Sequence, residues 1–333
     1  MLTSVKKFLI SSFYSNLAFG IFFVSIACAC WAYAFIIPII LKSFLPSQIA
    51  IFRYFFYGIF SLIIFLYSNK GKSYSLKVWI VAFLLALTGN VLYYYMLIIG
   101  INYAGAQVAI PIGGMIPITV AIIGNIFLKE FSFSKVFVPL LMSFLGLVII
   151  NFTYFSIKRD LTHVSALGLL ACFTSLILWS VYGVSNSFFL KKNQYIDSST
   201  WTSMIGIMSL LQAIIWGSLE MSFNTKNFIN QFKSLYNVTY LCFWAATLGI
   251  LSSWLGTIAW NIGSKRLPVT LAGQIIVMEP IFGLIYIFIL KGSLPTTTEF
   301  IGYFICILGI VLTLKRIQNS SGFKLSIKED SIN

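Results

Sequence analysis

The chain has 333 residues, of which 59% are hydrophobic and 9% are charged, whereas about a quarter of the residues of a soluble domain are charged. This composition excludes a soluble domain as the body of the protein and indicates a chain that lies almost entirely in lipid. The net charge of +14 does not indicate nucleic-acid binding. The basic residues occupy short gaps between apolar blocks, and no polar segment carries a basic run with interleaved aromatics.

Ten apolar blocks follow one another along the chain, each close to the ~20 residues that a helix needs to span a bilayer. They cover residues 17–41, 47–67, 78–99, 105–128, 135–155, 164–190, 200–219, 238–262, 268–290 and 298–314. The first block is too long for a signal-peptide core and lacks a clear small-residue cleavage site, so it is predicted to be a span. The sequence therefore predicts an all-α integral membrane protein with ten transmembrane helices.

The second half of the chain repeats the first at an offset of about 163 residues, so that Pro117 falls on Pro280. Self-similarity of this kind indicates an internal duplication. We predict two repeats of five helices each, over residues 17–156 and 164–314. Because five is an odd number, the second repeat enters the membrane from the opposite face, and inverted repeats of this kind enclose the substrate site of many transporters.

The basic residues in the gaps predict the orientation of the chain in the membrane. With Arg53 set aside because it lies inside a span, 15 basic residues occupy the termini and every second gap, and six occupy the other gaps. The excess places both termini, residues 1–16 and 315–333, in the cytoplasm. We expect a multi-pass protein of the bacterial inner (plasma) membrane whose short loops have no room for a soluble catalytic domain.

The two halves end in GGMIPITVAIIGNIFLKE…LGLVII and IIVMEPIFGLIYIFILKG…LGIVLT. These segments resemble the paired repeats of EamA-type drug/metabolite transporters, in which a Pro-containing span leads to a loop acid and a Gly-containing final span. Glu130 matches the loop acid of the first repeat, Gly292 replaces it in the second, and Arg53 resembles the Arg of the family's second span. The stretches GNVLYYYMLIIGINYAGAQVAIPIGGMIPITVAIIGN and WLGTIAWNIGSKRLPVTLAGQIIVMEPIFGLIY resemble the aromatic amino-acid exporter branch.

Glu279 is the one acid well inside a predicted span. A charge at the bilayer midplane costs roughly 2.5–3.5 kcal/mol on insertion scales, so its side chain is expected to face protein or a water-filled cavity. It is either a site for a substrate ammonium or a coupled proton, or an acid that pins neighbouring helices. Pro280 and Pro117 remove helical hydrogen bonds beside it and in the matching span, which indicates either discontinuous transporter helices or ordinary kinks.

Aromatic and polar residues that share helix faces predict a cavity for an amphipathic ligand with a flat apolar part. Asn90, Tyr93 and Tyr94 share one face, and their repeat counterpart carries Trp254, Thr257 and Asn261 on another. The candidate substrate-binding residues are Trp31, Asn90, Tyr93, Tyr94, Gln107, Trp179, Trp254, Thr257, Asn261, Gln274, Glu279 and Tyr286, and the candidate gating or hinge residues are Arg53, Gly113, Pro117 and Pro280. Alternatively, the aromatics belong to packing or interfacial belts, the glutamines cap freed carbonyls, and Arg53 snorkels outward.

The motifs of other function classes are missing from the sequence. It contains no Walker loop, no HExxH, no acid pair within the spans, and no Cys–His cluster at metal-ligand spacing, so neither a cofactor nor a metal is expected and the protein is not expected to be an enzyme. The first hypothesis is a secondary transporter that exports or exchanges small amphipathic metabolites by alternating access, with aromatic or apolar amino acids as the first choice of substrate; a monomer is expected. The alternatives are the same fold carrying a nucleotide-like metabolite such as an adenosyl compound, and a non-transporting membrane receptor.

Overall fold

A computed structural model describes residues 2–41, 43–68, 72–104, 109, 112–128, 133–157, 165–223, 232, 234–292, 294 and 296–318. In this part of the chain all regular secondary structure is helical. The main helices are α1 (Leu2–Ala32), α2 (Pro46–Ser68), α3 (Leu76–Ala104), α4 (Ile116–Leu128), α5 (Phe133–Ile157), α6 (Ala166–Lys192), α7 (Ser198–Phe223), α8 (Leu235–Ser264), α9 (Val269–Ile275), α10 (Met278–Lys291) and α11 (Thr297–Gln318).

Six of these helices are long and apolar enough to cross a membrane, within the described residues: α1, α2, α3, α6, α7 and α8. Shorter apolar stretches lie in α5 and α11, and the predicted ninth span is divided into α9 and α10. These helices confirm an all-α membrane protein. The helix of the predicted first span ends earlier than residue 41, at Ala32, and is followed by a 3-10 turn over Tyr33–Phe35 and a short helix over Ile37–Ile40.

Local sequence explains several helix starts. The side chain of Ser165 accepts a hydrogen bond from the Gly168 amide at 3.0 Å and caps α6. Thr296 and Glu299 form a reciprocal pair at the start of α11, because the Thr296 amide donates to the Glu299 carboxylate at 2.7 Å and the Glu299 amide donates to the Thr296 hydroxyl at 3.3 Å. This is the capping-box arrangement, and it gives the acid at the edge of the tenth predicted span a structural role.

Helices of the first half pack on helices of the second half. The same set of pairs results when each helix is replaced by its equivalent in the other half. α1 packs on α8 and α3 packs on α6, while α2 packs on α7, α4 on α9, and α5 on α11. At the α5–α11 crossing, the Ser143 hydroxyl donates to the Cys306 carbonyl at 3.5 Å and the Cys306 thiol donates to the Ser143 carbonyl at 3.3 Å. These two residues are 163 positions apart, so the offset found in the sequence brings equivalent residues face to face.

Two helices are locally widened at equivalent places. α3 contains a π-helical segment over Leu87–Val91, and α8 contains one over Leu248–Leu255. Adding 163 to the bounds of the first segment gives 250–254, which lies inside the second. π-helical segments occur frequently at functional sites because the extra residue redirects nearby side chains and backbone groups.

A left-handed glycine ends α10. Gly292 has a φ of +63°, and a Cβ added there would meet nothing within 4 Å. Because the cost of a side chain at Gly292 comes from the backbone alone, we expect Gly292→Ala to lower the free energy of unfolding by about 1 kcal/mol. Gly292→Asn should cost less, since Asn tolerates the left-handed region. Thermal unfolding of the purified variants in one detergent measures both effects, and equal stability of Ala and Gly would contradict this explanation.

Candidate functional site

Arg53 connects α2 to the widened part of α8. Its Nε donates to the Ser253 hydroxyl at 2.9 Å, and its Nη2 donates to the Ser252 hydroxyl at 3.2 Å. The guanidinium also lies 5.3 Å from the ring centre of Tyr54 and 5.8 Å from that of Tyr94, distances typical of cation–π contacts. Arg53 is therefore held inside the bundle by neutral partners, and its charge is not cancelled by any of them.

The widened part of α3 contributes Asn90 to the same region. The Asn90 amide donates to the Ser209 hydroxyl of α7 at 2.9 Å, and its backbone carbonyl accepts a hydrogen bond from the Tyr54 hydroxyl at 3.2 Å. Tyr54 and Tyr94 pack edge to face with their ring centres 6.4 Å apart. The two π-helical segments, one from each half of the chain, thus both border the surroundings of Arg53.

Glu279 lies in the first turn of α10, directly after the turn that separates α9 from α10. Its backbone amide donates to the Ile276 carbonyl at 2.8 Å. Pro280 has no N–H to donate to this carbonyl, which therefore accepts its hydrogen bond from three residues away instead of four. Glu279 is partly buried in the bundle and lies within electrostatic range of Arg53. Tyr93 is likewise partly buried and lies within electrostatic range of Glu279.

Arg53 and Glu279 are a basic and an acidic residue that interact electrostatically without bonding directly. Each lies within electrostatic range of the other, but the described residues contain no direct ion pair between them and no hydrogen-bond donor on the Glu279 carboxylate. Both side chains are partly buried in the helix bundle. The site is therefore an interior region with one positive end, one acidic group and tyrosine rings nearby.

Three tryptophans from different helices converge beside this region. Trp31 of α1 and Trp179 of α6 have ring centres 5.8 Å apart, and Trp260 of α8 lies 5.6 Å from Trp31 and 6.0 Å from Trp179. Helices α1 and α8 approach closely here, because a Cβ on Gly256 would lie 2.7 Å from the Trp31 indole. The ring series continues from Trp179 to Tyr182 at 6.1 Å, which brings flat apolar surfaces toward the tyrosines around Arg53.

Three of the predicted site residues take part in packing between helices. Gln274 is fully buried; its amide donates to the Ser143 hydroxyl at 2.9 Å, and its carbonyl accepts from the Thr313 hydroxyl at 2.7 Å. Thr257 is buried beside the Tyr57 hydroxyl. Asn261 is fully buried and is bonded on both sides of its side-chain amide. None of the three presents a free polar atom to the region around Glu279.

Asn261 belongs to a hydrogen-bonded chain across α6, α7 and α8. Its carbonyl accepts from the Asn186 amide at 2.7 Å, its amide donates to the Thr202 hydroxyl at 2.8 Å, and the Trp201 indole donates to Asn186 at 2.8 Å. We expect Asn261→Leu to lower the free energy of unfolding by about 2 kcal/mol, because buried polar partners lose their bonds.

Thermal unfolding in detergent measures the effect of Asn261→Leu. The matched control is Thr174→Val, since the Thr174 hydroxyl bonds only to the Leu170 carbonyl of its own exposed helix surface, at 2.8 Å. An Asn261→Leu variant of unchanged stability but impaired substrate binding would assign Asn261 to the site instead.

The remaining candidates are dispersed. Trp254 lies in the π-helical segment of α8, donates to the Ser203 hydroxyl at 3.4 Å and contacts the Phe60 ring edge to face at 5.3 Å. The Tyr286 hydroxyl donates to the Ala29 carbonyl at 3.1 Å, in a lateral groove of about 420 Å³ between α1 and α10.

Gly113 and Pro117 flank the turn that begins α4, and a Cβ on Gly113 would meet open space. Gln107 lies outside the described residues, as do Glu130 and the Pro280 side chain.

Four residues of this region were not among those predicted from the sequence: Ser252, Ser253, Tyr54 and Trp260. One signal for the serines was present, because the 163-residue offset places Asn90 on Ser253 and Gly89 on Ser252. Small and polar residues at equivalent places in both repeats are typical of π-helical segments and of helices that pack closely against a neighbouring helix. Trp260 had no such signal, since the equivalent residue of the first repeat is Leu97.

Comparison with known proteins connects this geometry to one family. The model of the EamA-like transporter family matches residues 18–152 and again residues 166–315. The inner membrane protein YtfF of Escherichia coli (strain K12) is 23% identical over 307 residues, which cover 89% of this chain and 95% of YtfF. The uncharacterized transporter YyaM of Bacillus subtilis (strain 168) is 25% identical over 271 residues, 80% of this chain and 84% of YyaM.

A solved crystal structure has the same fold. It matches with a TM-score of 0.71 at 18% sequence identity and covers 92% of this chain and 99% of its own. The two matches of the family model together cover most of the chain. The chain therefore belongs to the EamA-like transporter family.

Proposed function

We propose that this membrane transporter is a secondary transporter that exports or exchanges small amphipathic metabolites, with aromatic or apolar amino acids as its substrates. The observation that carries the proposal is that Arg53 and Glu279 are partly buried in the bundle, within electrostatic range of each other, without pairing directly. Two uncancelled opposite charges inside an apolar protein are costly, and a zwitterion that lies between them satisfies both.

The proposed pose follows from the partners of each charge. The substrate carboxylate binds the Arg53 guanidinium, whose planar group suits a carboxylate, and the substrate ammonium binds the Glu279 carboxylate. The flat side chain packs against Tyr93, Tyr94 and the tryptophans Trp31 and Trp179. Resemblance of the segments around Asn90 and Trp254 to aromatic amino-acid exporters supports the same choice of substrate.

The proposed mechanism is alternating access by two inverted five-helix repeats that rock around this site. Three observations support this mechanism. Equivalent helices of the two halves form equivalent packing pairs, the family model matches each half separately, and the π-helical segments lie at equivalent places. The interruption between α9 and α10 and the turn before α4 provide hinges at Gly113, Pro117 and Pro280, where small residues or missing hydrogen bonds let a helix change direction.

Inverted topology with cytoplasmic termini is tested by labelling single cysteines introduced into a cysteine-free variant. Ser73 and Tyr195 are proposed to face the cytoplasm, and Ser43 and Ser234 the outside. In intact cells a membrane-impermeant maleimide should modify the second pair and not the first. Labelling of one site from each pair would contradict the proposed topology.

A nucleotide-like substrate such as an adenosyl compound is the second candidate, because the three converging tryptophans offer rings on which a base can stack. A thermal-shift screen separates the two classes. The amino-acid proposal expects L-phenylalanine and L-tryptophan to raise the unfolding temperature, and expects tryptamine, which lacks the carboxylate, and indole propionate, which lacks the ammonium, to do so much less. Stabilisation by adenosyl compounds alone would support the second candidate.

A further inference from the structure

A crevice separate from the proposed transport site lies where α1, α7 and the end of α8 meet. Its volume is about 680 Å³. Its apolar lining consists of Phe19 and Phe23 of α1 with Ile258 and Ile262 of α8. Its mouth is polar and basic, because Lys265 and Arg266 follow directly after α8. The crevice therefore has one charged end and one apolar end, like a phospholipid.

Arg266 is oriented by its surroundings toward this mouth. Its Nη1 donates to the Ile262 carbonyl at 2.7 Å, and its guanidinium lies 4.9 Å from the ring centre of Phe19. Stacking on Phe19 fixes the plane of the guanidinium and leaves its other N–H groups available. A planar cation that is held in this way suits the oxygens of a phosphate.

Lys265 supplies a second positive charge beside the Arg266 guanidinium. Burial and the adjacent Arg266 guanidinium lower the pKa of the Lys265 ammonium, and the negative charge of Asp197 offsets these two effects only in part. Asp197 also lines the crevice, but its carboxylate accepts hydrogen bonds from the Thr200 amide and hydroxyl at the start of α7. Although burial raises its pKa, these bonds outweigh the effect and keep the pKa below its usual value.

We propose that this crevice binds an anionic membrane phospholipid, with its phosphate at Lys265 and Arg266 and an acyl chain along Phe19, Phe23, Ile258 and Ile262. The hydroxyl-bearing Ser198 and Ser199 at the start of α7 line the same mouth and offer additional donors to the headgroup. Basic pockets between helices at the cytoplasmic face are a common form of lipid recognition. The occupant is a lipid and not a free phosphate ester, because the wall beyond the basic mouth is apolar.

The test compares lipid adducts of the purified full-length protein by native mass spectrometry. The protein is incubated with phosphatidylglycerol and phosphatidylcholine of identical acyl chains. We expect retention of phosphatidylglycerol over phosphatidylcholine, and a loss of about ten-fold in this preference for the double variant K265Q/R266Q. The matched control K77Q/K315Q removes two exposed basic residues from other helix ends and should keep the preference.

Two results would overturn the proposal. One is equal retention of the two lipids, or a preference that survives K265Q/R266Q. The other is equal protection by glycerol 1-phosphate, which carries the charge without acyl chains; protection is measured as the shift in unfolding temperature. The variant I258W, which fills the apolar wall and keeps both charges, should also reduce phosphatidylglycerol retention. Full retention in I258W would contradict the placement of the acyl chain.

Discussion

Replacing Glu279 with Gln is expected to reduce amino-acid flux through the protein by about 30-fold or more. The reason is that the substrate ammonium loses its one anionic partner in a site where Arg53 supplies only positive charge. Flux is measured as uptake of labelled L-phenylalanine into liposomes that contain equal amounts of each variant.

The matched control for this variant is Glu220→Gln. Glu220 lies near the end of α7, where its carboxylate accepts a hydrogen bond from the Ser47 hydroxyl at 3.3 Å, away from the site. It should keep the flux of the unchanged protein. Full flux in Glu279→Gln, with the variant folded, would remove Glu279 from the substrate site and return it to the role of an acid that pins helices.

Replacing Gly146 with Ala is expected to lower the free energy of unfolding by about 2–3 kcal/mol. A Cβ on Gly146 would lie 2.6 Å from the Cys306 sulfur, 2.7 Å from the Gly302 carbonyl oxygen and 2.8 Å from the Cys306 amide nitrogen. Two of these neighbours are backbone atoms of α11, so the two helices must move apart. Small residues permit such close helix contact in lipid, where packing is the main source of association.

Thermal unfolding in detergent measures the Gly146→Ala effect, and Gly113→Ala is the matched control. A Cβ on Gly113 meets no atom within 4 Å, so this variant should be as stable as the unchanged protein or slightly more stable. Gly309→Ala, at the equivalent position of the second repeat, should be as harmful as Gly146→Ala, since its Cβ would lie 2.8 Å from the Pro139 carbonyl oxygen. Equal stability of Gly146→Ala and Gly113→Ala would contradict the importance of the crossing.

The equivalence of the later spans of each half was predictable because glycines mark it. Gly100 and Gly263, which are 163 residues apart, both lie where a helix of the other half comes close: a Cβ on Gly100 would meet the Cys172 sulfur, and one on Gly263 would meet Val24. Where two helices touch through a glycine, a larger residue does not fit at that position. Both halves therefore keep glycine at these contacts, and the identical residues make the 163-residue offset visible in the sequence.

The early spans follow a different offset, which the sequence argument missed. Trp31 and Trp179 are 148 residues apart, as are Val24 and Cys172, which occupy equivalent contacts. The offset changes from 148 to 163 between the second and third helices of each half. The connection between α7 and α8 is four residues longer than the one between α2 and α3, and the remaining extra residues lie in the adjoining helix ends. The similar settings of Trp31 and Trp179, WAYAF and WSVYG, are visible in the sequence, but identities at the shorter offset are few, and the contacts of Val24 and Cys172 are needed to establish it.

The site was predicted as a set of residue types and not as an arrangement. The buried acid and the aromatic faces were apparent in the sequence, and the structure brings Asn90, Tyr94 and Arg53 into one region. Burial alone did not separate Asn261 and Gln274 from the site, since a polar residue inside a span serves a cavity or a helix contact equally well. Only their partners on neighbouring helices distinguish the two roles.

Exchange of amino acids across a membrane is the most direct measurement of the proposed activity. Liposomes that contain the purified protein and are preloaded with unlabelled L-phenylalanine should take up labelled L-phenylalanine in a saturable manner, and L-tryptophan should compete. Tryptamine and indole propionate should compete poorly, because each lacks one of the two charges. Uptake no faster than in protein-free liposomes, across a panel of all the common amino acids, would contradict the proposal.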